Sequence, residues 1–156
     1  MDKIKKANIE GVLFKNPKIN VDDRGFLFEI MKESGELFIP SKQTTFTLAH
    51  PGLIKAFHWH NNQTDLWCGV SGRARAVLYD LREESPTFEC FQEFFLGEPN
   101  YGVLLIPRRV AHGYQVLGNK DFLMVYHTDQ FYDPKNPDEQ RIKFDETKFD
   151  WNIINR

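Results

Sequence analysis

The sequence has little that would suit a membrane, a disulfide-stabilised fold or a nucleic-acid surface. Its 156 residues include only 2 cysteines, Cys68 and Cys90, which do not make a disulfide framework. No apolar run approaches the roughly 18 residues that a membrane span requires. The formal net charge is −2, and the polar start MDKIKKANIEGVLF lacks the apolar core of a signal peptide. We therefore expect a cytoplasmic protein with reduced thiols and with no membrane or nucleic-acid partner.

What the chain does have is the size and composition of one globular domain, spanning residues 1–156. Hydrophobic residues make up 41% and charged residues 27%, which is an ordinary balance for a soluble domain. No internal repeat, low-complexity tract or linker divides the sequence. The 14 phenylalanines and 3 tryptophans favour a β-rich core over an aromatic sugar or base pocket.

Short runs of β-forming residues recur between turn signals along the chain. This rhythm, with few helical periodicities, predicts an all-β sandwich or barrel. The dipeptide Ser71-Gly72 separates two runs and suggests a hairpin, whereas 133–140, with two prolines, predicts a loop. The tail after residue 143 is ambiguous. The predicted strands are 25–30, 43–48, 53–60, 66–70, 73–81, 88–96, 102–107, 112–117 and 122–128.

Two histidines on one predicted strand are the first candidates for a functional site. Alternation along a strand places His58 and His60 on the same side, with Trp59 and Lys55 on the other. Asp65 follows after four residues. The spacing between Gly52 and Gly72 resembles the first motif of the cupin superfamily.

A second cupin-like segment, 102–119, contributes His112 at the appropriate distance after Pro107. Three imidazoles and one carboxylate suit Fe, Mn, Ni, Zn or Cu. These residues therefore allow one interpretation of the site, in which one divalent transition metal is held by His58, His60, Asp65 and His112. The protein would then be a metal-dependent cupin enzyme, either an isomerase or a dioxygenase.

A longer ordered set of blocks carries a more specific resemblance. From about Asp22 to Trp151 the chain resembles the dTDP-4-dehydrorhamnose 3,5-epimerase (dTDP-sugar isomerase) family. The resemblance implies a double-stranded β-helix, or cupin jelly roll, that forms a homodimer and needs no cofactor. The matching blocks are 23-DRGFLFE-29, 55-KAFHWH-60, 71-SGRARAVLYDLREESPTF-88, 106-IPRRVAHGYQVL-117, and Tyr126 followed by 131-FYDP-134 and Glu139.

The family resemblance also implies roles for single residues. His58 matches the base that removes a proton next to a 4-keto group, and Tyr126 matches the acid that returns a proton from the opposite face. Because the family's N-terminal strand crosses to the partner subunit, Arg24 and Glu29 would serve the neighbouring site. The residues matching substrate- or nucleotide-contacting positions are Arg24, Glu29, Gln43, Thr45, Lys55, His112 and Glu139.

The implied activity is epimerisation of a 4-keto-6-deoxy nucleotide sugar in cell-surface polysaccharide or deoxysugar biosynthesis. Its chemistry is physically consistent with these residues. A carbon next to a ketone is a weak acid, and an imidazole of near-neutral pKa suits its deprotonation. The resulting enolate oxygen requires a preorganised donor or cation.

The sequence departs from the family pattern at several positions. Asp65 stands where the family has a lysine, Lys55-Ala56 replace Arg-Gly, and Thr44-Thr45 replace Asp-Asn. The C-terminal segment that carries the aspartate paired with the base has no counterpart. Asp65 either orients His58 or His60 or completes a metal site. In the metal site, Tyr126 or a metal-bound hydroxide would be the candidate for taking the proton. A non-catalytic sugar-binding cupin is the third hypothesis.

Overall fold

The computed structural model describes residues 8–153, and these residues form strands, turns and loops. No helix within this part of the chain is long and apolar enough to cross a membrane. The strands are β1 Leu13–Lys15, β2 Asn20–Asp22, β3 Gly25–Leu27, β4 Gln43–Ala49, β5 Ile54–His60, β6 Asp65–Ser71, β7 Arg73–Asp80, β8 Phe91–Gly97, β9 Val103–Ile106, β10 Val110–Leu117, β11 Phe122–Thr128 and β12 Glu139–Arg141.

Two five-stranded antiparallel sheets make up the body of the fold. The first has the order β1-β9-β6-β11-β4 and the second β12-β5-β10-β7-β8, while β2 and β3 form a separate ribbon. From β4 to β7 the chain alternates between the two sheets at every step, and it does so again from β8 to β11. This alternation is the double-stranded β-helix that the family resemblance implied, so the fold prediction is confirmed.

The predicted hairpin at Ser71-Gly72 is wrong, although the two strands beside it were placed correctly. β6 pairs with β9 and β11, whereas β7 pairs with β10 and β8. Gly72 is therefore a corner at which the chain leaves one sheet for the other. Its φ is 68°, and a Cβ there would lie 2.1 Å from the carbonyl oxygen of Asp121. Only glycine fits such a corner without strain.

The main core fills the space between the two sheets. Its fully buried members include Trp67, Leu78, Leu104 and Phe122, which project inward from both sheets. A second apolar cluster lies on the other face of the second sheet, where Phe57, Val77 and Phe91 meet Phe149 and Trp151. The C-terminal tail, ambiguous from the sequence, thus covers the outer face of β5, β7 and β10.

A network of hydrogen bonds to Asp80 stabilises the loop after β7. The fully buried carboxylate of Asp80 accepts hydrogen bonds from Arg82 Nε at 2.8 Å, Ser85 Oγ at 2.7 Å and Thr87 Oγ1 at 2.7 Å. Burial alone raises the pKa of Asp80, but these donors outweigh it and lower the pKa to about 2. The D-L-R-E-E-S-P-T block is therefore structural.

Candidate active site

A cavity of about 560 Å³ opens between the two sheets. β5 and β12, with one residue of β10, form one wall, while β4, β6 and β11 form the other. His58 lines the first wall and Tyr126 lines the second, so residues predicted as base and acid face a common space. The lining residues are Thr47, Ile54, Lys55, Ala56, Phe57, His58, Trp67, Tyr114, Met124, Tyr126, Glu139 and Arg141.

A bulge in β5 determines which of its side chains face this cavity. His58 pairs with His112 and Lys55 pairs with Tyr114, so two residues of β5 oppose the single residue Gly113. A Cβ on Gly113 would lie 2.3 Å from the Cβ of Ala56, so the bulge requires glycine opposite it. The prediction that Lys55 faces away from His58 is wrong, because the extra residue brings both to the cavity.

Behind His58 lies a compact group of buried polar side chains. His58, His60, Asp65 and His112 each offer one ligand atom, and these four atoms all lie within 4.8 Å of one another. His60, Asp65 and His112 are at most 8% exposed. The structure therefore brings together the four predicted ligands, with His58 between the buried group and the open cavity.

The ring of His112 is oriented by its own strand. Its Nδ1 lies 2.9 Å from the carbonyl oxygen of Val110, and because a carbonyl can only accept, Nδ1 carries the hydrogen. Nε2 lies 3.1 Å from Asp65 Oδ2. Within residues 8–153, Nε2 of His112 and Nδ1 of His60 are buried without a geometrically well-formed hydrogen bond.

Burial dominates the electrostatics of this group. It lowers the pKa of His58 well below its usual range, and the neighbouring His112 lowers it further. Burial likewise lowers the pKa of His60. Burial raises the pKa of Asp65, but the adjacent His112, together with His60 and His58, more than offsets this and leaves it below the usual range. At neutral pH His58 and His60 are thus neutral imidazoles beside a carboxylate.

Tyr126 remains protonated on the opposite wall. Burial raises the pKa of its phenol, only partly opposed by a hydrogen bond to Thr45, while the charges of Asp65 and Glu139 raise it further. Thr45 pairs with Tyr126 across β4 and β11. A protonated phenol that faces the cavity is able to donate a proton or a hydrogen bond there.

Sequence reasoning missed Arg141, which also lines the cavity. It pairs with His58 across β12 and β5, so the two side chains share a face, and its charge helps to lower the pKa of His58. Its Nε lies 2.6 Å from Oε1 of Glu139, a residue that was predicted and that also lines the cavity. The predicted loop 133–140 is wrong at its end, because Glu139–Arg141 form β12; alternation along that strand places Glu139 and Arg141 on the same side.

The remaining predicted substrate residues lie outside the cavity lining. Gln43 bonds Thr45 Oγ1 at 3.1 Å and accepts from the amide of Tyr132 at 2.8 Å, which ties the loop after β11 to β4. Arg24 is exposed in the β2–β3 ribbon beside Asp22. Glu29 pairs with Lys32 at 3.2 Å and lines a separate cavity of about 470 Å³. His112 lies buried behind His58.

Two proteins similar to this chain are named for polysaccharide or glycan biosynthesis. The spore coat polysaccharide biosynthesis protein SpsL of Bacillus subtilis is 43% identical, over 92% of this chain and 97% of that protein. The probable low-salt glycan biosynthesis epimerase Agl13 of Haloferax volcanii is 32% identical, over 93% and 96% of the two chains.

Solved structures similar to this one share the fold over almost its whole length. A dTDP sugar isomerase from Desulfovibrio desulfuricans superposes with a TM-score of 0.85 and 26% identity, over 92% of each chain. A dTDP-4-dehydrorhamnose 3,5-epimerase from Bacillus anthracis, with TDP and PPi bound, gives 0.83 and 26%, over 98% and 91% of the chains. Residues 6–156 match the family described as dTDP-4-dehydrorhamnose 3,5-epimerase, and the chain belongs to that family.

Proposed function

We propose that this protein is a nucleotide-sugar epimerase that inverts a carbon beside the ketone of a dTDP-linked 4-keto-6-deoxy sugar. The observation that carries the proposal is the cavity that His58 and Tyr126 line from opposing sheets. The relative in spore coat polysaccharide biosynthesis supports a role in building cell-surface polysaccharide. The family member with TDP bound supports a thymidine nucleotide as the carrier of the sugar.

In the proposed reaction a proton leaves one face of the sugar and another arrives on the opposite face. His58 takes the proton from the carbon next to the ketone, and the electron pair of the C–H bond moves to the carbonyl oxygen as an enolate. The Tyr126 hydroxyl then gives its proton to the same carbon from the other wall, and the enolate returns to a ketone. Solvent afterwards returns His58 to its neutral form and Tyr126 to its protonated form.

Two cations of the cavity wall would stabilise the charges of such a substrate. Lys55 and Arg141 both line the cavity, and Glu139 orients the guanidinium of Arg141. A guanidinium offers paired donors to a diphosphate or an enolate oxygen, and a lysine offers a mobile point charge. Trp67 and Tyr114 also line the cavity, where Trp67 Nε1, a buried donor without a hydrogen-bond partner among the described residues, would donate to a sugar hydroxyl.

We also propose that the active form is a homodimer in the cytoplasm. The β2–β3 ribbon exposes Val21 at 75%, Phe26 at 54% and Leu27 at 62%, an apolar surface that a second subunit would cover. Arg24 lies in the turn of this ribbon, outside the cavity of its own chain. In the dimer Arg24 and Glu29 would reach the cavity of the partner. The buried, unpaired Cys68 and Cys90 fit a reducing compartment.

Solvent exchange tests the proposal directly. Purified protein in D₂O, supplied with a dTDP-linked 4-keto-6-deoxyhexose, should place deuterium on a carbon next to the ketone, as read by NMR and mass spectrometry. His58→Gln should lose this exchange. Binding of the nucleotide sugar without any exchange would overturn the proposal in favour of a sugar-binding protein. Full exchange by His58→Gln would overturn the role of His58.

A further inference from the structure

We infer that His58, His60, Asp65 and His112 form a binding site for one divalent transition-metal ion. We further infer that an ion bound there takes the ring nitrogen of His58 away from proton transfer. The second part rests on the proposed function of His58, whereas the first part rests on the geometry of the site alone.

The four ligand atoms are already gathered before any ion is considered. They lie within 4.8 Å of one another, and donors around one tetrahedral or octahedral ion sit roughly 3.0 to 3.5 Å apart. Side-chain adjustments of about 1 Å would therefore complete the coordination. Both sheets contribute, because β5 and β10 carry the histidines and β6 carries Asp65. Register pairing of His58 with His112 holds the two strands in place.

Two buried nitrogens are available to bind a cation. Among the described residues, His112 Nε2 and His60 Nδ1 have no hydrogen-bond partner, and an unsatisfied buried polar atom is costly. The bond from His112 Nδ1 to the carbonyl of Val110 occupies that nitrogen and leaves Nε2, 3.1 Å from Asp65 Oδ2, as the ring atom that can bind an ion. An ion beside these two atoms would be bound by both of them.

The surroundings of the four groups also suit an ion. Gln63 Nε2 donates to Asp65 Oδ1 at 2.7 Å, which orients the carboxylate and leaves Oδ2 directed at the histidines. His58 is partly exposed and lines the cavity, so an ion can enter from that side. Three imidazoles and one carboxylate favour Zn²⁺, Co²⁺, Ni²⁺ or Fe²⁺ over Mg²⁺ or Ca²⁺, which prefer oxygen ligands.

An ion bound at this site would directly affect the chemistry of His58. The same lone pair cannot bind an ion and accept a proton from a sugar. Loading the site should therefore suppress the deuterium exchange that His58 performs in the metal-free protein, and removal of the ion should restore it.

The test uses the full chain, stripped with a chelator and then titrated separately with Zn²⁺, Co²⁺ and Mg²⁺. One equivalent of Zn²⁺ or Co²⁺ should remain after dialysis, measured by elemental analysis. At a hundredfold excess over the dissociation constant, Zn²⁺ should raise Tm by about 5 °C or more, and Mg²⁺ should not. The Co²⁺ form should show visible absorption bands of a nitrogen- and oxygen-ligated ion, and exchange should fall at least tenfold on loading.

Two variants test whether the retained metal and the Tm shift depend on the proposed ligands. Asp65→Asn, which preserves the shape of the residue, should lose the retained metal and the Tm shift. His50→Gln is the matched control, because His50 is an exposed histidine paired with Asp121 and outside the cluster. It should keep both signals. Should Asp65→Asn fail to fold, the Co²⁺ spectrum and stoichiometry of the unsubstituted protein still decide the question.

The outcomes separate the two proposals. Failure of the stripped, folded protein to bind either Zn²⁺ or Co²⁺ overturns the metal site, while exchange by the same sample leaves the epimerase proposal standing. Equal loss of metal by His50→Gln marks the binding as non-specific and overturns the site. Undiminished exchange by the fully loaded protein overturns the inferred competition at His58.

Discussion

The proposed roles of Tyr126 and His58 can be distinguished by deuterium labelling of the sugar. In Tyr126→Phe the hydroxyl is lost, while His58 and the cavity remain. We expect proton removal, and hence deuterium exchange with retained configuration, to continue on the His58 side. Net inversion should fall by about 100-fold or more, because no acid remains on the opposite wall.

The measurement for Tyr126→Phe is NMR of the sugar product, which reports configuration and deuterium content together. His58→Gln serves as the comparison, since it should lose both exchange and inversion. Inversion at the unsubstituted rate in Tyr126→Phe would remove Tyr126 from the mechanism.

Asp80 lies outside the cavity, and its ionisation should make the free energy of unfolding depend on pH. Its folded pKa is lowered to about 2, so its contribution is fully present above the unfolded value and is lost as pH falls from about 4 towards 2. Asp80→Asn should therefore lower the free energy of unfolding by about 2 kcal/mol at pH 7. Urea unfolding at several pH values would measure this difference, which should shrink below pH about 4. A difference that stays constant to pH 3 would contradict this assignment.

At the level of single residues, the sequence predicts most of the site chemistry but not all of its geometry. The period of two places His58 and His60 together, and motif spacing adds Asp65 and His112, all of which the structure brings together. Lys55 was assigned to the wrong side because a bulge depends on the partner strand. Arg141 was missed because its strand exists only through pairing with β5.

Among the structural elements, the corner at Gly72 should tolerate no side chain. Gly72→Ala places a Cβ against the carbonyl oxygen of Asp121 at 2.1 Å, in addition to the strain of a positive φ. We expect a loss of about 3 kcal/mol or more in the free energy of unfolding.

Gly118→Ala is the matched control for Gly72→Ala. Its φ of 76° is similar, but no heavy atom lies within 4 Å of the added Cβ. It should cost only about 1 kcal/mol, the contribution of backbone strain. Equal losses in the two variants, measured by urea unfolding, would mean that contact with Asp121 has no part in the effect.

The C-terminal tail should be an essential part of the second sheet. Trp151 packs on Phe57 and Phe149, lies 5.7 Å from the guanidinium of Arg75 and accepts its hydrogen bond through the main-chain carbonyl. Trp151→Ala should lower the free energy of unfolding by about 3 kcal/mol, as for a buried aromatic residue. Ile153→Ala, at an exposed position, should change it little. Similar urea midpoints for both variants would contradict this role.

The positions of the strands can be predicted closely from the sequence, but their pairing partners cannot. The predicted run 122–128 is β11 itself, and 43–48 lies within β4. The partner of each strand is a long-range property, so local turn chemistry at Ser71-Gly72 suggested a hairpin where the chain changes sheets. From residue 144 to residue 153 the tail forms no strand, and Phe149 and Trp151 are held by side-chain packing and by the hydrogen bond from Arg75 to the Trp151 carbonyl.

For the whole molecule, subunit mixing should reveal whether one chain completes the site of the other. Arg24→Ala and His58→Gln should each be inactive alone. In mixed dimers one cavity regains both its own His58 and an intact Arg24 from the partner. Random exchange of subunits should therefore restore about a quarter of the unsubstituted activity.

Mixing is followed by NMR of net inversion at the sugar carbon, which His58→Gln and Tyr126→Phe both lack alone, and size-exclusion chromatography checks that dimers form. His58→Gln mixed with Tyr126→Phe is the control, because both residues serve the cavity of their own chain. This pair should recover nothing. Full activity of Arg24→Ala alone would show that the partner's ribbon contributes nothing to the reaction.

Family membership narrows the three hypotheses drawn from the sequence. The match over residues 6–156 to an epimerase family favours isomerase chemistry over a dioxygenase. The resemblance to the family predicts the fold because the matching residues are distributed over most of the chain. The role of Asp65 depends on one position, and only local geometry suggests an ion there.

The two groups proposed to exchange protons with the sugar belong to different sheets, one on β5 and the other on β11. The thickness of the interior therefore sets the gap into which a sugar ring must fit. Trp67, buried between the sheets, helps to set that gap. Substitutions that thin or thicken the core should alter the stereochemical fidelity of the enzyme before they alter its affinity for the nucleotide.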